Sequence, residues 1–456
     1  MTAVVVAGGG VIGLSVAWRA AQRGFSVTVA DPSPGHGASH AAAGMLTPVS
    51  EAAYAEKELL ALGAASLERY PAFAAELTLA SGEPTGFRQT GTLQVGYDAD
   101  DLAVIDELRV LQESLGVPAR RLTARECREL EPMLDPSVRG GLLVEGDGSV
   151  DPRLLIRALL AAATAAGVRL VRQPVTEIIV EADTERSRGE CPGLRTDDRT
   201  GPASPGLQAR RAAGVSDPSP GKLTGGSGGS PPRASTAAGV SDPSLGKLTG
   251  GSGGSSPRAS TVRGVRLADG TIITADVTVL AAGWNTVGIG GLPPGCLPPV
   301  RPVKGQIVRL RAADGGLLRR SVRGIVKGSS VYLVPRESGE LVVGATQEEL
   351  GPDTRVTAGG LWELLRDART LVPGITECEF TEAVARLRPG TPDNAPILGP
   401  CAAAGLVLAT GHFRHGVLLA PITADIVTDY LETGRLPEMA AHFTIDRFHR
   451  KGDRRT

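Results

Sequence analysis

A glycine-rich turn placed directly after a short apolar strand constrains the fold more than any other feature of this sequence. Residues 8–13, GGGVIG, follow the strand expected at Ala3–Ala7 and open the first helix. In this GxGxxG pattern Gly8 permits a tight turn, Gly10 lets a pyrophosphate approach the backbone, and Gly13 allows close packing of helix on strand. The helix N-terminus offers N–H groups and a positive dipole end to the phosphates. The pattern therefore predicts a Rossmann-like unit that binds a dinucleotide.

An acidic residue and two runs of small residues extend this prediction. Asp31 follows the second strand, Ser26–Ala30, 18 residues after Gly13, where a carboxylate can accept hydrogen bonds from ribose hydroxyls. The glycine pattern alone fits either NAD or FAD. Small residues at 37–46, and an apolar strand that ends in small residues before Gly283, would let the backbone approach a flat ring system. The first of these runs also fits a tight contact between a helix and a sheet.

The rest of the chain alternates helical and strand-like periodicity, which indicates an α/β fold with a second, strand-rich region over residues 305–345. The last helix is expected to end at Gly434, because glycine readily adopts the left-handed conformation that closes a helix. Helical spacing of apolar residues recurs near residues 56–79, 102–115, 152–166, 359–371 and 421–433.

Two nearly identical repeats of 25 residues interrupt this pattern. Residues 212–236 and 237–261 differ at only two positions, and 29 of their 50 residues are Gly, Pro or Ser. Such segments cannot bury enough apolar surface to offset the entropy lost on ordering, so residues 184–261 are predicted to form a disordered, low-complexity insertion. Removing the insertion joins strand-like runs at 175–180 and 262–267. The insertion is therefore expected at the tip of a hairpin.

Charge and cysteine content exclude several classes of function. With 48 basic and 49 acidic residues, the chain has no net field that would attract nucleic acid or anionic lipid. The five cysteines are widely spaced and show no zinc-ligand or disulfide spacing, so we expect no metal and a reducing compartment. No cationic segment precedes the first apolar run, and no stretch is long enough to cross a membrane. We therefore expect a cytoplasmic protein with no nucleic-acid or membrane partner.

Five motifs, in the same order, resemble one family of flavoproteins. Together they resemble the glycine oxidases of thiamine biosynthesis, which belong to the D-amino acid oxidase class of FAD-dependent oxidoreductases. The resemblance covers nearly the whole chain except the insertion. The motifs are GGGVIG at 8–13, ASHAAAGML at 38–46, VYLVPR with LVVGAT at 331–346, RLRPGTPDNAPILG at 386–399 and ATGHFRHGVLLAP at 409–421.

The resemblance implies an α/β (α+β) architecture with two domains. The low-complexity insertion, residues 184–261, would belong to neither domain. The smaller substrate-binding domain, built on an antiparallel sheet, is expected over residues 86–144 and 301–379. The discontinuous Rossmann-like FAD-binding domain is expected over residues 1–85, 145–183, 262–300 and 380–456.

The resemblance also implies that FAD lies extended along the first βαβ unit. The related sarcosine oxidases attach FAD through a cysteine near the position of Arg386, and no cysteine is near it here, so we expect non-covalent binding. The start of the helix near Pro421 would place a positive dipole end beside the ring. The predicted cofactor-binding residues are Gly8, Gly10, Val11, Ile12 and Gly13 at the pyrophosphate, Asp31 at the ribose, the backbone of Val175 at the adenine, Ala43, Gly44, Met45, His412, Phe413, Arg414, His415, Gly416, Val417 and Leu418 around the isoalloxazine ring, and Ser39 and Gly283 in addition.

Two arginines and a tyrosine are the candidate catalytic residues. A small zwitterionic amino acid needs a cation for its carboxylate, and Arg388 offers a planar, two-pronged match. The resemblance assigns the same residue, and it matches Arg414 and Tyr332 to the other substrate-contacting positions, with the Tyr332 hydroxyl donating to the carboxylate. Arg386 is the alternative cation in the same segment. Gln347 departs from the family pattern, because a bacterial relative has a methionine lining the pocket at that position.

The resemblance implies oxidative deamination of glycine without a protein nucleophile. Glycine with a neutral amine would lose its Cα hydride to the flavin and leave as an imine, and molecular oxygen would reoxidise the flavin to give hydrogen peroxide. The imine would hydrolyse to glyoxylate and ammonia or pass to thiazole synthesis, with the thiazole synthase as a candidate partner and a homo-oligomer as the expected assembly. A sarcosine or small D-amino acid oxidase or dehydrogenase is the enzymatic alternative, and a nucleotide-binding protein without turnover is the non-enzymatic one.

Overall fold

The computed structural model describes residues 1–48, 56–114, 119–182, 260–313 and 316–449. The helices are α1 (Val11–Gln22), α2 (Ala38–Ala41), α3 (Lys57–Ser81), α4 (Ala99–Ser114), α5 (Ala124–Leu130), α6 (Pro152–Ala165), α7 (Ala358–Leu371), α8 (Ala420–Thr433) and α9 (Asp446–His449). The strands are β1 (Ala3–Ala7), β2 (Ser26–Ala30), β3 (Met45–Leu46), β4 (Thr92–Gly96), β5 (Arg120–Thr123), β6 (Gly140–Val144), β7 (Gly148–Ser149), β8 (Arg169–Val171), β9 (Val175–Ala182), β10 (Ser260–Leu267), β11 (Ile272–Thr274), β12 (Val277–Leu280), β13 (Arg301–Arg311), β14 (Ser321–Val326), β15 (Ser329–Pro335), β16 (Glu340–Gly344), β17 (Glu379–Gly390), β18 (Ile397–Pro400) and β19 (Leu406–Thr410).

A six-stranded sheet carries the glycine-rich turn. Its order is β18-β19-β12-β1-β2-β8, and every neighbouring pair is parallel except β18 with β19. Side chains of β1 alternate between two cores. Val4 and Val6 pack with helices α1, α3, α6 and α8, whereas Val5 and Ala7 pack with the small sheet of β9, β10 and β11. Because both faces are covered, β1 is a continuous apolar run, as parallel strands usually are.

An eight-stranded sheet forms the second part of the fold. Its order is β17-β13-β16-β15-β14-β4-β6-β5, and it is antiparallel except for the parallel pair of β14 with β4. Successive side chains along each strand again point to opposite faces, so the two faces of this sheet pack against different parts of the protein. Val308 and Leu333 face α7, whereas Ile307 and Val334 face the segment Ala41–Ala43, which follows β2 and belongs to the nucleotide side of the molecule. The face opposite α7 is therefore turned toward the expected cofactor.

The low-complexity insertion connects two paired strands. β9 and β10 pair antiparallel, with Ala182 opposite Ser260 and Val180 opposite Val262. This pairing is the hairpin predicted from the sequence. The insertion itself lies outside the described residues, apart from its last two positions, which begin β10.

The described residues belong to one compact unit, Met1–Asp183 together with Arg258–Thr456. The domain boundaries expected from the sequence stay a prediction. The boundary expected near residue 380 coincides with the start of β17, and β17 pairs with β13 in the eight-stranded sheet along its whole length. Within the described ranges, no helix is long and apolar enough to cross a membrane.

Candidate active site

An elongated cavity joins the glycine-rich turn to the eight-stranded sheet. Its lining begins at Gly8, passes Ala41–Met45 and ends at Tyr332 and Arg388, and residues 411–418 before α8 form a further side. The cavity lies over the carboxyl ends of β1, β2, β12 and β19, the edge at which parallel α/β sheets bind their ligands. Its position is therefore the one that the GxGxxG pattern predicts for a dinucleotide.

The glycines of the turn have separate roles. Gly8 has φ +111°, and a Cβ there would lie 2.4 Å from the carbonyl oxygen of Ala281. A Cβ on Gly13 would lie 1.9 Å from the carbonyl oxygen of Gly8. Gly13 does not line the cavity, which agrees with the packing role expected for it. Gly10 does line the cavity, and a Cβ on it would meet only Ser39 Oγ, at 3.5 Å, so space for a ligand lies above it.

Asp31 and Ser39 fix the backbone at this end of the cavity. Asp31 accepts the N–H of Gly9 on Oδ2 and that of Ser33 on Oδ1, each at 2.7 Å. A carboxylate offers about four acceptor positions, so both oxygens keep capacity for ribose hydroxyls. Ser39 Oγ accepts the N–H of Val11 at 3.0 Å. That N–H is already used by the protein, and phosphates are left to the other N–H groups of the first turn of α1.

The loop before α8 is buried and tied to β17. His412 Nε2 lies 3.0 Å from Thr423 Oγ1, and burial, reinforced by His415, lowers the pKa of His412 to about 3. His412 is therefore neutral near pH 7. Phe413 has φ +46° and donates its N–H to the carbonyl oxygen of Pro389 at 3.0 Å. The first turn of α8 contains no acidic residue, so no acid of that turn offsets its positive dipole end beside the cavity.

Arg388 presents a cation to the cavity without a carboxylate partner. Its Nη1 donates to the carbonyl oxygens of Thr346 at 3.1 Å and Lys304 at 3.4 Å. Across the described ranges, these are its only hydrogen bonds and no Asp or Glu pairs with it. Its Nε and Nη2 are consequently left for a ligand, and a guanidinium can donate to both oxygens of a carboxylate. The guanidinium lies over Gly305, where a Cβ would be 2.2 Å from Nη1.

The other candidate catalytic residues also line the cavity. Tyr332 is half-buried on β15 and packs over Gly344, where a Cβ would lie 2.5 Å from the tyrosine hydroxyl. Arg414 is exposed, with its guanidinium carbon 5.2 Å from the centre of the Phe413 ring. Arg386 lines the cavity as well, because residues i and i+2 of a strand share a face. Its Nε donates to the carbonyl oxygen of His36 at 3.1 Å, toward the nucleotide side.

The loop after β16 contributes a residue other than the expected one. Gln347 is exposed and does not line the cavity, whereas Thr354 of the same loop does. The loop is anchored by Lys304, which is fully buried with Nζ 3.0 Å from Asp353 and 3.3 Å from Glu348. Although burial opposes the charged form, these two carboxylates raise the pKa of Lys304. The departure from the family pattern at position 347 therefore does not change the cavity wall directly.

Most of the predicted site residues are brought together, and several contributors were not predicted. Of the predicted set, Gly13 and Val175 do not line the cavity, and the individual assignments stay predictions. Sequence reasoning missed the supporting roles of Gly305 and Arg336. Arg336 is 7% exposed and donates Nη1 to the carbonyl oxygen of Val150 at 2.9 Å and Nη2 to that of Ala43. For Arg336, the only indication in the sequence was an arginine placed directly after the apolar strand VYLVP.

The chain belongs to the family described as FAD-dependent oxidoreductase (DAO), which it matches over residues 3–204 and 255–430. FAD is therefore its cofactor. The lining fits this cofactor, because a Cβ added at Gly37 or Gly283, both in the wall, would meet no atom within 4 Å. The backbone thus leaves open space along the cavity between its nucleotide end, at Gly8 and Asp31, and its arginine end, at Arg388.

Comparison with individual proteins confirms the resemblance stated from the motifs. The chain is 28% identical over 447 residues to the glycine oxidase of Geobacillus kaustophilus, covering 97% of this chain and 96% of that protein. The crystal structure of the glycine oxidase from that organism has a TM-score of 0.73 and 26% identity, covering 98% of this chain and 99% of that one. The chain is also 29% identical over 451 residues to the bifunctional protein ThiO/ThiG of Trichormus variabilis, covering 98% of this chain but 55% of that protein. It spans about half the length of such bifunctional relatives.

Proposed function

We propose that this protein oxidises glycine to the corresponding imine with FAD as cofactor and oxygen as electron acceptor. The observation that carries the proposal is the half-buried Arg388, which faces the cavity without a carboxylate partner in the described chain. An unpaired cation in such a site calls for an anionic ligand. The full-length similarity to a glycine oxidase supports an amino acid as that ligand.

The residues at this end of the cavity would orient the substrate. Nε and Nη2 of Arg388 would donate to the substrate carboxylate, and the Tyr332 hydroxyl would donate to the same group. Arg414, exposed at the cavity wall, would close over the carboxylate from the other side. The branched side chain of Ile307 also lines this end, which favours a substrate with no side chain or a very small one.

Bound FAD would supply the redox chemistry, with a hydride taken from the substrate carbon and the two electrons passed to oxygen, which is reduced to hydrogen peroxide. The chain needs no nucleophile for this reaction. The proton of the ammonium group must leave before hydride transfer. His412 is a poor base for that proton, because burial lowers its pKa to about 3 and its Nε2 lies 3.0 Å from Thr423 Oγ1. The positive end of α8 would favour negative charge that develops nearby in the cavity.

The proposal extends to the fate of the product. The imine would hydrolyse to glyoxylate and ammonia or pass to a thiazole synthase, and the bifunctional ThiO/ThiG relatives support that partner. We further propose a homo-oligomer that acts in the cytoplasm. The described cysteines are unpaired thiols, which suits a reducing compartment.

An anaerobic titration tests the substrate assignment. Glycine, sarcosine and D-alanine are added separately to the purified holoprotein, and bleaching of the flavin absorption band is followed. We expect glycine to bleach the band, and peroxide to appear once oxygen is admitted. Bleaching by sarcosine or D-alanine but not by glycine would move the assignment to those substrates. Turnover with an artificial acceptor but not with oxygen would make the enzyme a dehydrogenase.

The variant Arg388→Ala tests the substrate anchor. The loss of two charge-assisted hydrogen bonds is worth about 3–6 kcal/mol, so kcat/KM for glycine should fall by roughly 10²–10⁴-fold while FAD stays bound. Normal glycine oxidation by this variant would contradict the proposal.

A further inference from the structure

Arg336 is a buried arginine that holds two backbone segments at once. It follows β15 directly, and its side chain is 5% exposed. Its Nη1 donates to the carbonyl oxygen of Val150 at 2.9 Å, its Nη2 donates to that of Ala43, and its Nε lies 3.9 Å from Asp151 Oδ2. Burying a guanidinium is costly unless its donors are satisfied. The two carbonyl groups satisfy Nη1 and Nη2, whereas Nε has no hydrogen-bond acceptor among the described residues and only the charge of Asp151 nearby.

The two segments that Arg336 holds form one small ribbon at the cavity wall. Met45 pairs with Ser149 in the antiparallel pair of β3 and β7, and Val150 donates its N–H to the carbonyl oxygen of Gly44 at 2.8 Å. Ala43, Gly44 and Met45 line the middle of the cavity. Arg336 thus binds the carbonyl groups of Ala43 and Val150, which flank the two strands of the ribbon.

β15, the strand that precedes Arg336, also presents a side chain to the end of the cavity at Arg388. Tyr332 lies four residues before Arg336, and side chains at even spacing along a strand leave on one face. Ala43 packs in a cluster with Val334 and Val342 of that sheet, and Tyr332 packs against the same cluster. The position of the ribbon and the position of Tyr332 are therefore fixed by one strand.

We infer that Arg336 is a positioning residue for FAD, which sets the backbone of Ala43–Met45 against β15 and so fixes the cofactor relative to the Tyr332 side of the cavity. The inference depends on FAD as the cofactor and not on glycine as the substrate. Its test therefore uses FAD alone, without any amino acid, and a failure of glycine oxidation leaves it unaffected.

The experiment compares Arg336→Gln and Arg336→Lys with the matched control Arg309→Gln. Arg309 is 1% exposed on the same sheet and pairs with Glu340 and Glu382; it does not line the cavity, and among the described residues no hydrogen bond or ion pair joins it to the ribbon. For each apoprotein, the dissociation constant for FAD is measured by quenching of flavin fluorescence. The visible absorption band and the midpoint potential of the bound flavin are then recorded, together with thermal unfolding of the apoprotein.

We expect Arg336→Gln to weaken FAD binding by at least about 30-fold and to shift both the flavin band and its potential, since two charge-assisted hydrogen bonds are lost. Arg336→Lys keeps the charge but cannot reach both carbonyl groups, so about a tenfold loss is expected. Arg309→Gln should lose thermal stability yet bind FAD within about twofold of the wild type. If Arg336→Gln does not fold, Arg336→Lys decides. FAD binding within twofold and an unchanged band and potential in the folded Arg336 variants would overturn the inference and leave Arg336 a purely structural residue.

Discussion

Replacing Gly305 by alanine should disable Arg388, the proposed substrate anchor, without unfolding the protein. A Cβ at position 305 would lie 2.2 Å from Nη1 of Arg388, whereas ordinary contacts begin near 3.4 Å. The guanidinium must therefore move by about 1.2 Å or more. It can do so cheaply, because it is the end of a long, half-buried side chain, and alanine is favoured over glycine in a strand by about 0.5–1 kcal/mol. We expect the free energy of unfolding to change by less than about 1 kcal/mol.

Activity should respond much more strongly than stability. A displacement of about 1 Å in a positioning group costs on the order of 10²-fold in rate, which is about 2.7 kcal/mol of transition-state stabilisation. Anaerobic flavin reduction by glycine should therefore require a far higher glycine concentration in Gly305→Ala. The flavin spectrum without glycine should stay as in the wild type, because the change is confined to the arginine end of the cavity.

Gly324→Ala is the matched control on the other face of the same sheet. A Cβ there would lie 2.1 Å from Leu371 Cδ1, which is nearly the same crowding. Leu371, the last residue of α7, is fully buried in the core between this helix and the sheet, so overpacking should cost about 1–3 kcal/mol of stability. Glycine oxidation should be nearly normal in this variant. A wild-type response to glycine in Gly305→Ala would refute the assignment of Arg388 as the anchor, and so would a loss of the glycine response in Gly324→Ala equal to that in Gly305→Ala.

Three further changes test other parts of the structure. Gly13→Ala forces a Cβ to 1.9 Å from a backbone oxygen that cannot move freely, so it should cost more than about 3 kcal/mol in urea unfolding and weaken FAD binding. Lys304→Met leaves Glu348 and Asp353 without their buried cation and should cost about 3–5 kcal/mol, and adding Glu348→Gln and Asp353→Asn should restore part of the lost stability. His412 has its pKa lowered from 6.5 to about 3, so the unfolded state binds the extra proton and stability falls as pH drops from 6.5 toward 3. His412→Gln should remove up to about 1.4 kcal/mol per pH unit of this slope, and an unchanged slope in urea unfolding between pH 6.5 and 4 would contradict it.

Local patterns predicted the elements better than the sheets to which they belong. The strands at 3–7 and 26–30 lie where the sequence placed them, since the first is a short apolar run before the glycine-rich turn and the second is a short β-branched run after the first helix. The last helix ends at Gly434 in the left-handed conformation, as expected. The partners of β17 were harder to predict. β17 pairs with β13, which is distant in the chain, and periodicity within one strand says nothing about its neighbour.

The sequence suggests a site residue where the residue type fits an expected ligand, and it gives no such indication where a residue supports another one. Arg388 could be chosen from its motif, because a carboxylate substrate needs a guanidinium. Arg336 contacts Ala43 across 293 positions and Val150 across 186 positions, and no local pattern carries that information. The role of Gly305 depends likewise on the guanidinium that lies over it. Such supporting contacts exist only once the two sheets face each other.

The distribution of paired charges is the reason that we place the proposed substrate end of the cavity at Arg388. Lys304 is fully buried and has two carboxylate partners, and Arg309, 1% exposed, pairs with Glu340. The chain thus supplies acids to the cations that its fold buries in this sheet, because an unpaired buried charge is costly. Arg388 lies on the strand next to both and receives only two carbonyl groups from the described chain. An acidic residue at that point would neutralise the guanidinium permanently and exclude an anionic ligand. We therefore infer that Arg388 has no acidic partner among the described residues because a substrate carboxylate binds there.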